Sequence, residues 1–173
     1  MSRSLGLTIS DSLQLSLGYA ERLLNGVDAA QFARFGNPGG QPVESNHAAF
    51  VYGHLSLYAP RILKDLSHEA PTVPDGFDKV FSKDAQCVDD PDGTIYPAME
   101  QVTEFFFAGY RAALEALKST SDETFQQPNP LGGPMAEKFP SLGSMHNFYV
   151  GGHIMIHMGQ MSAWRRMQGL GSA

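Results

Sequence analysis

Apolar residues recur at helical spacing in four separate stretches of this 173-residue chain, and that pattern constrains the fold more than any other feature. In the first stretch they follow one another at intervals of four, four, three and four: Ile9, Leu13, Leu17, Ala20 and Leu24. Such intervals place side chains on one face of an α-helix. No stretch alternates apolar and polar residues convincingly, as a half-buried strand would, so the sequence predicts an all-α protein.

Turn and capping residues divide the chain into four predicted helices and their connectors. The first helix begins at a cap (Thr8, Ser10 or Asp11) and ends at Asn25-Gly26; the others span about 44–64, 96–119 and 141–168. Pro60 would kink the second helix. Residues 67–95 are rich in turn residues and predict a long irregular loop. We therefore predict one domain over residues 1–173, an antiparallel four-helix bundle with long connecting loops.

Charge and cysteine content narrow the possible partners. Twelve Lys and Arg residues against 18 Asp and Glu give a formal net charge of −6, which argues against nucleic-acid binding. We find no long apolar run, and so predict no membrane segment and no signal peptide. The single cysteine, Cys87, suits a reducing compartment and predicts a cytoplasmic protein. Nearby acids (Asp84, Asp89 and Asp90) would raise its pKa, so we interpret Cys87 as incidental.

The six histidines carry the functional signal. His153 and His157 are four residues apart, the spacing by which two imidazoles on one helix face hold a metal ion. His146 falls in the same sector of this helix. His47 and His54 share a face of the second helix, and a bundle would let one of them face the pair. Buried imidazoles without partners are costly, and a metal removes that cost, although histidines satisfied in the core remain an alternative.

Other metal motifs fit poorly. The zinc-protease motif is absent, because Ile154-Met155-Ile156 separate His153 from His157. A di-iron site needs two Glu-x-x-His units, and only Glu44-x-x-His47 occurs. Haem or copper binding would use the methionines of the last helix, which are more typical of core packing: Met145, Met155, Met158 and Met161.

Several ordered segments together resemble the DinB-like family. They are Asn46–Leu55 with its Gly53-His54 pair, the motif His153-x-x-x-His157-x-Gly159-Gln160, and Trp164–Gly169. Phe81-Ser82-Lys83, Tyr96-Pro97 and residues 139–143 fit the same order. The resemblance covers almost the whole chain, and it implies a DinB-like four-helix bundle.

The resemblance also implies a divalent metal held by three histidines, which match His54, His153 and His157 here. Imidazole suits Zn, Ni or Fe, so the sequence does not identify the ion. Gly151-Gly152 directly precedes His153 and lowers helix propensity by about 1 kcal/mol per glycine. We interpret this pair as a close approach between helices.

The remaining candidate residues are assigned around this triad. His47 and His146 each lie two turns from a proposed ligand and are candidates for the pocket lining or the second shell. Tyr58 and Gln160 are candidates for second-shell or substrate contacts, with core packing as the alternative. We expect His68 at the surface.

Characterised branches of the family include thiol-dependent transferases and isomerases. The resemblance therefore implies a metal-dependent enzyme of the thiol S-transferase or isomerase type, acting on a small molecule with a low-molecular-weight thiol. No catalytic residue beyond the ligands is assigned. The alternative is a non-catalytic, stress-related bundle that binds a metal or a small ligand. The resemblance also implies a homodimer, and the aromatic run Phe105–Phe107 is consistent with an additional apolar face.

Overall fold

The computed structural model describes residues 3–173, and this part of the chain is all-helical, as predicted. In chain order the helices are α1 (Leu5–Leu23), α2 (Ala29–Phe32), α3 (Ala48–Ser56), α4 (Ala59–Asp65), α5 (Phe77–Phe81), α6 (Met99–Ser119), α7 (Asp122–Gln126), α8 (Gly133–Lys138), α9 (Leu142–Asn147) and α10 (Ile154–Met167). A 3₁₀ turn spans Pro38–Gly40, and a π-helical segment, Phe148–His153, joins α9 to α10. Residues 3–173 contain no β-strand, only isolated bridges at Gly36–Val43 and Pro128–Ser141. None of the helices in this range combines the length and apolar character that crossing a membrane requires.

The core lies between α6 and the helices around it. Helix α6 packs against α1, α3 and α4, and α10 packs against α1 and α3. Phe106 of α6 is fully buried and meets the ring of Tyr52 on α3 at 5.0 Å. The Tyr110 hydroxyl donates to the Leu55 carbonyl at 2.9 Å, which ties the same two helices together. The four predicted helical stretches therefore share one hydrophobic core.

Three predicted helix starts differ from those observed, and one of them is that of α6, which begins at Met99 rather than at about 96. Helix α1 begins earlier than expected, because the Ser4 hydroxyl accepts the Leu7 N–H and caps it. The second predicted helix begins only at Ala48 and is divided into α3 and α4 just before Pro60. A proline at that position supplies no N–H to the preceding turn, so the straight helix ends there.

The region predicted as an irregular loop is partly helical and firmly held. It contains α5, whose Phe77 and Phe81 side chains are fully buried. Further along, the buried Asp90 carboxylate accepts the backbone N–H groups of Thr94, Ile95 and Tyr96 at 3.0–3.1 Å. These bonds replace those that regular secondary structure would supply, so the loop keeps one conformation.

The last predicted helix is interrupted by the π-helical segment. Its start agrees with the sequence, since Ser141 caps α9 in a capping box. Within the π-helical segment Gly151 lies against α1, where a Cβ would be 3.4 Å from that of Ser12. The Ser16 hydroxyl donates to the Val150 carbonyl at 3.2 Å. Gly151 therefore lies at a contact with α1, whereas Gly152 faces Phe148 of its own segment, and both glycines fall in a wide turn that changes the register between α9 and α10.

Arg165 closes the end of α1 from within the core. It is 4% exposed, and its Nη1 donates to the carbonyls of Leu23 and Asn25 at 2.7 and 2.6 Å. Its Nη2 donates to the Leu170 carbonyl at 3.2 Å. A cation is favourable at a helix C-terminus, where the last carbonyls lack partners within the helix.

We expect Arg165→Met to lower the free energy of unfolding by about 3 kcal/mol, because buried carbonyls lose a charged donor. The control is Arg166→Met, which removes an exposed arginine and should change stability by about 0.5 kcal/mol or less. Urea denaturation of both variants measures the difference. Equal effects would contradict a role for Arg165 in closing α1.

Candidate metal centre

Three histidines from two separate parts of the chain meet at one point. His54 comes from α3, His153 ends the π-helical segment, and His157 lies on α10. One ring nitrogen from each lies within 4.8 Å of the others, close enough to hold a metal ion. The Nε2 atoms of His153 and His157 are 3.2 Å apart. The His54 ring centroid lies 5.5 Å from that of His153 and 5.0 Å from that of His157.

The backbone of α5 sets the tautomer of His54. The His54 Nδ1 lies 2.8 Å from the Phe81 carbonyl oxygen, which can only accept, so Nδ1 carries the proton. A neutral imidazole then has its lone pair on Nε2. Metal-binding histidines are commonly held by such a bond from the nitrogen that does not bind the ion.

The side-chain amide of Gln160 sets the tautomer of His157 in the same way. The His157 Nδ1 is 2.8 Å from Oε1 of Gln160, which lies one turn further along α10. The same oxygen accepts from Nδ2 of Asn46 at 3.0 Å. Asn46 precedes α3, so this pair of bonds also joins the two helices that supply the histidines. The His157 lone pair is thereby left on Nε2, which faces His153.

His153 is positioned mainly by packing, apart from the 3.2 Å contact of its Nε2 with that of His157. Its ring meets Tyr58 at 4.5 Å and Phe148 at 5.8 Å between centroids. Its Nδ1 is buried and has no hydrogen-bond partner among residues 3–173. Burial is the main cause that lowers the pKa of His153 to about 3, and the neighbouring His157 and His54 contribute to the same shift.

The geometry and protonation of the three rings fit a metal ion. A metal–nitrogen bond of about 2.1 Å at a tetrahedral angle separates two ligand nitrogens by about 3.4 Å, close to the 3.2 Å between His153 and His157. Burial also lowers the pKa values of His54 and His157, so all three imidazoles are neutral at pH 7. Neutral imidazole is the form that binds metals.

An open pocket of about 530 Å³ faces the three histidines. The segment that follows α5 lines it through Ser82, Lys83 and Ala85–Cys87, and Asn46, Phe50 and Tyr58 complete the lining. Lys83 is the charged side chain of this lining, and no carboxylate belongs to the lining among the described residues. The Cys87 thiol also lines the pocket, and burial raises its pKa to about 11. Burial is thus the main cause of a shift that the sequence had suggested from nearby acids.

Tyr58 and Gln160, both predicted near the triad, do lie beside it. Tyr58 lines the pocket and packs its ring on His54 at 5.4 Å and on His153. The Arg61 guanidinium covers the outer face of the Tyr58 ring at 5.1 Å. Gln160 bonds His157 directly, as described above.

His47 has a different role from the one proposed for it. Its Nδ1 accepts the Phe50 N–H at 3.2 Å and so caps α3. Its Nε2 donates to the Val88 carbonyl at 2.9 Å. Both ring nitrogens are used within the protein, and the side chain is fully buried outside the pocket lining. The structure therefore places His47 as a structural link between α3 and the loop.

His146 also lies away from the pocket. It is fully buried, and neither ring nitrogen has a hydrogen-bond partner among the described residues. Its Nε2 is 3.7 Å from Oδ2 of Asp65, too far for a hydrogen bond. The π-helical segment explains the placement, because its wide turn rotates α9 relative to the helix that carries His157. His68 is exposed, as expected.

Some contributors were not predicted as site residues, although Asn46, Phe81 and Lys83 fall in segments that carry the family resemblance. The group of Phe81 that accepts from His54 is a backbone carbonyl, which every residue carries. Asn46 bonds Gln160 through its side-chain amide, and a polar residue at that position is common before any helix. Lys83 and Cys87 reach the pocket only because α5 folds onto α3.

Comparisons with known proteins do not add to this description. The chain matches no family model, and no curated protein or solved structure is similar enough to count as a match.

We expect His146 to make stability depend on pH. Burial lowers its pKa from 6.5 to about 4, so between these values the unfolded chain binds a proton that the folded chain does not. The free energy of unfolding therefore falls as the pH is lowered from 6.5 to 4, by about 3 kcal/mol from this residue. His146→Leu should reduce that loss, measured by urea denaturation across the range.

The exposed His68→Leu variant serves as the control, because it removes an imidazole from the surface and none from the core. A His146→Leu profile parallel to that of wild type would show that His146 does not titrate as its burial implies.

Proposed function

We propose that this chain is a divalent-metal-binding protein of the DinB-like type, whose three-histidine site serves a thiol transferase or isomerase reaction. The single observation that carries the proposal is the convergence of His54, His153 and His157 on one point at the floor of an open pocket. The proposed ion is Zn, Ni or Fe, and the proposed co-substrate is a low-molecular-weight thiol.

The ligand set supports a catalytic rather than a structural ion. Structural zinc sites are closed by four protein ligands, whereas catalytic sites use three and leave a position for water or substrate. Three neutral imidazoles also leave the positive charge of the ion uncompensated. The open side of this triad faces the pocket of about 530 Å³, which is large enough for a small molecule.

The helix arrangement supports the DinB-like assignment. One proposed ligand comes from the second long helical stretch and two come from the last, in the order that the resemblance implies. Helices α1, α3, α6 and α10 pack around one core. The proposed bundle type and a homodimer follow from the resemblance and complete the proposal.

When bound, a divalent ion would lower the pKa of a coordinated thiol or water and polarise a carbonyl. The protein's own residues would do the rest. The Phe81 carbonyl and Gln160 hold the protons of His54 and His157 on Nδ1 and keep each Nε2 free. Lys83 places a positive charge at the pocket wall, where a negatively charged group of a substrate would be favoured. The Cys87 thiol, with its pKa raised to about 11, stays protonated at pH 7 and does not compete as a nucleophile.

We expect the purified protein to hold one equivalent of Zn²⁺ and His153→Ala to lose at least 99% of that affinity, because two ligands cannot replace three. Equilibrium dialysis followed by elemental analysis measures both. Zinc at 100 times its dissociation constant should stabilise the wild-type fold by about 2.7 kcal/mol. His68→Ala is the matched control and should bind as wild type does. Equal zinc binding by all three proteins would refute the triad.

We expect thiol transfer to an electrophile to depend on the metal. The protein is incubated with a panel of low-molecular-weight thiols and a chromogenic electrophile, with and without a chelator. Turnover should fall to the uncatalysed rate with chelator and recover on addition of Zn²⁺, Ni²⁺ or Fe²⁺. His157→Ala should be inactive under every condition, whereas Cys87→Ser should retain activity, since the reacting thiol arrives with the co-substrate.

Turnover that is indifferent to the chelator would refute metal-dependent thiol chemistry. Stoichiometric metal binding without turnover on any thiol would instead favour the non-catalytic, stress-related binding protein. Elemental analysis of the same samples separates these two results.

A further inference from the structure

A glycine stands next to the proposed ligand His54 at the closest contact between α3 and α5. A Cβ built on Gly53 would lie closer than 3.0 Å to three ring carbons of Phe81, a distance that real Cβ atoms essentially never show. Gly53 and Phe81 are both fully enclosed in the protein, so neither can shift toward solvent. The Phe81 ring therefore occupies the volume that any other residue at position 53 would need.

The Phe81 ring is held on its other sides by aromatic neighbours. It packs on Phe77 at 5.2 Å, on Tyr96 at 5.6 Å and on Phe50 at 6.5 Å between centroids. A ring displaced from Gly53 would have to displace these contacts as well, and closely packed interiors resist such shifts. A side chain at position 53 would instead shift Phe81 together with the C-terminal end of α5.

The end of α5 is the part that touches His54. Phe81 is the last residue of α5, so its carbonyl has no partner within that helix. This is the oxygen that accepts the His54 Nδ1–H at 2.8 Å. One residue thus contacts the α3 backbone at Gly53 through its ring and the neighbouring imidazole through its carbonyl.

We propose that Gly53 is a positioning residue for His54. Because Gly53 has no side chain, the Phe81 ring packs directly against α3, and the Phe81 carbonyl then lies where it fixes the tautomer and orientation of the His54 imidazole. Gly53 contacts neither a metal nor a substrate and acts only through Phe81. The metal-affinity arm of the test rests on the proposed function, while the tautomer arm does not.

The test is a double-mutant cycle at positions 53 and 81, using the full chain. The variants are Gly53→Ala, Phe81→Val and the two combined; valine removes the three crowded ring carbons and keeps the backbone carbonyl. The control is Gly143→Ala, which crowds Phe125 at 3.0 Å where α9 meets α7, away from the triad. Histidine ¹⁵N spectra of the metal-free proteins report the His54 tautomer, and competition with a chromophoric chelator reports Zn²⁺ affinity.

Wild-type His54 should show a single Nδ1–H tautomer, and Gly53→Ala should show a mixture together with a 10- to 100-fold loss of Zn²⁺ affinity, the usual range for loss of such a supporting bond. In the Phe81→Val background, Gly53→Ala should lower the Zn²⁺ affinity by less than threefold. Gly143→Ala should leave the tautomer and the affinity unchanged, whatever its effect on the melting temperature. A single Nδ1–H tautomer in Gly53→Ala, or equal costs in both backgrounds, would overturn the proposal.

If Gly53→Ala alone fails to fold, the combined variant decides. Recovery of folding together with the His54 Nδ1–H signal supports the proposal, and a combined variant that is unfolded or lacks that signal overturns it. If the wild-type protein binds no Zn²⁺, the proposed function fails, and the tautomer spectra still test the role of Gly53.

Discussion

The site depends on the desolvation of three imidazoles around one point. Burial is the first cause of the lowered pKa of His54, His153 and His157, and it keeps each ring neutral at pH 7. If three neutral rings are to direct their lone pairs at one point, each ring must carry its proton on the nitrogen that faces away from that point. The Phe81 carbonyl and the Gln160 amide meet this requirement for two of the three. Much of the surrounding structure can be understood as what holds these two acceptors in place.

Those acceptors belong to parts of the chain that are fixed by unrelated contacts. Gln160 is tied to α3 through Asn46, and Phe81 is enclosed by aromatic rings of α3, of α5 and of Tyr96 before α6. The loop beyond α5 is then held by Asp90 and by the bond from His47 to Val88. A site on two helices is thus stabilised by a loop that contributes no ligand.

The sequence was informative where the chemistry resides in residue types and spacing. The apolar intervals predicted the helices, and the four-residue spacing of His153 and His157 predicted that they share a face. It failed at His146, because the face was drawn with a constant angle per residue and the π-helical segment changes that angle. It also assigned His47 to the pocket region, since no spacing rule distinguishes a ring that caps a helix from one that faces a cavity. The Phe81 carbonyl was beyond reach, because every residue carries a carbonyl and only tertiary packing selects one.

The pocket has two walls of different construction. The triad projects from helices that pack into the core, whereas Ser82, Lys83 and Ala85–Cys87 line the pocket from a loop with several exposed residues. Loops tolerate substitution and changes of length far better than core helices do. Variation in this segment could therefore change which molecules enter while the ion-binding half stays the same. Chains that share the three histidines could diverge in substrate through the composition of this one strip.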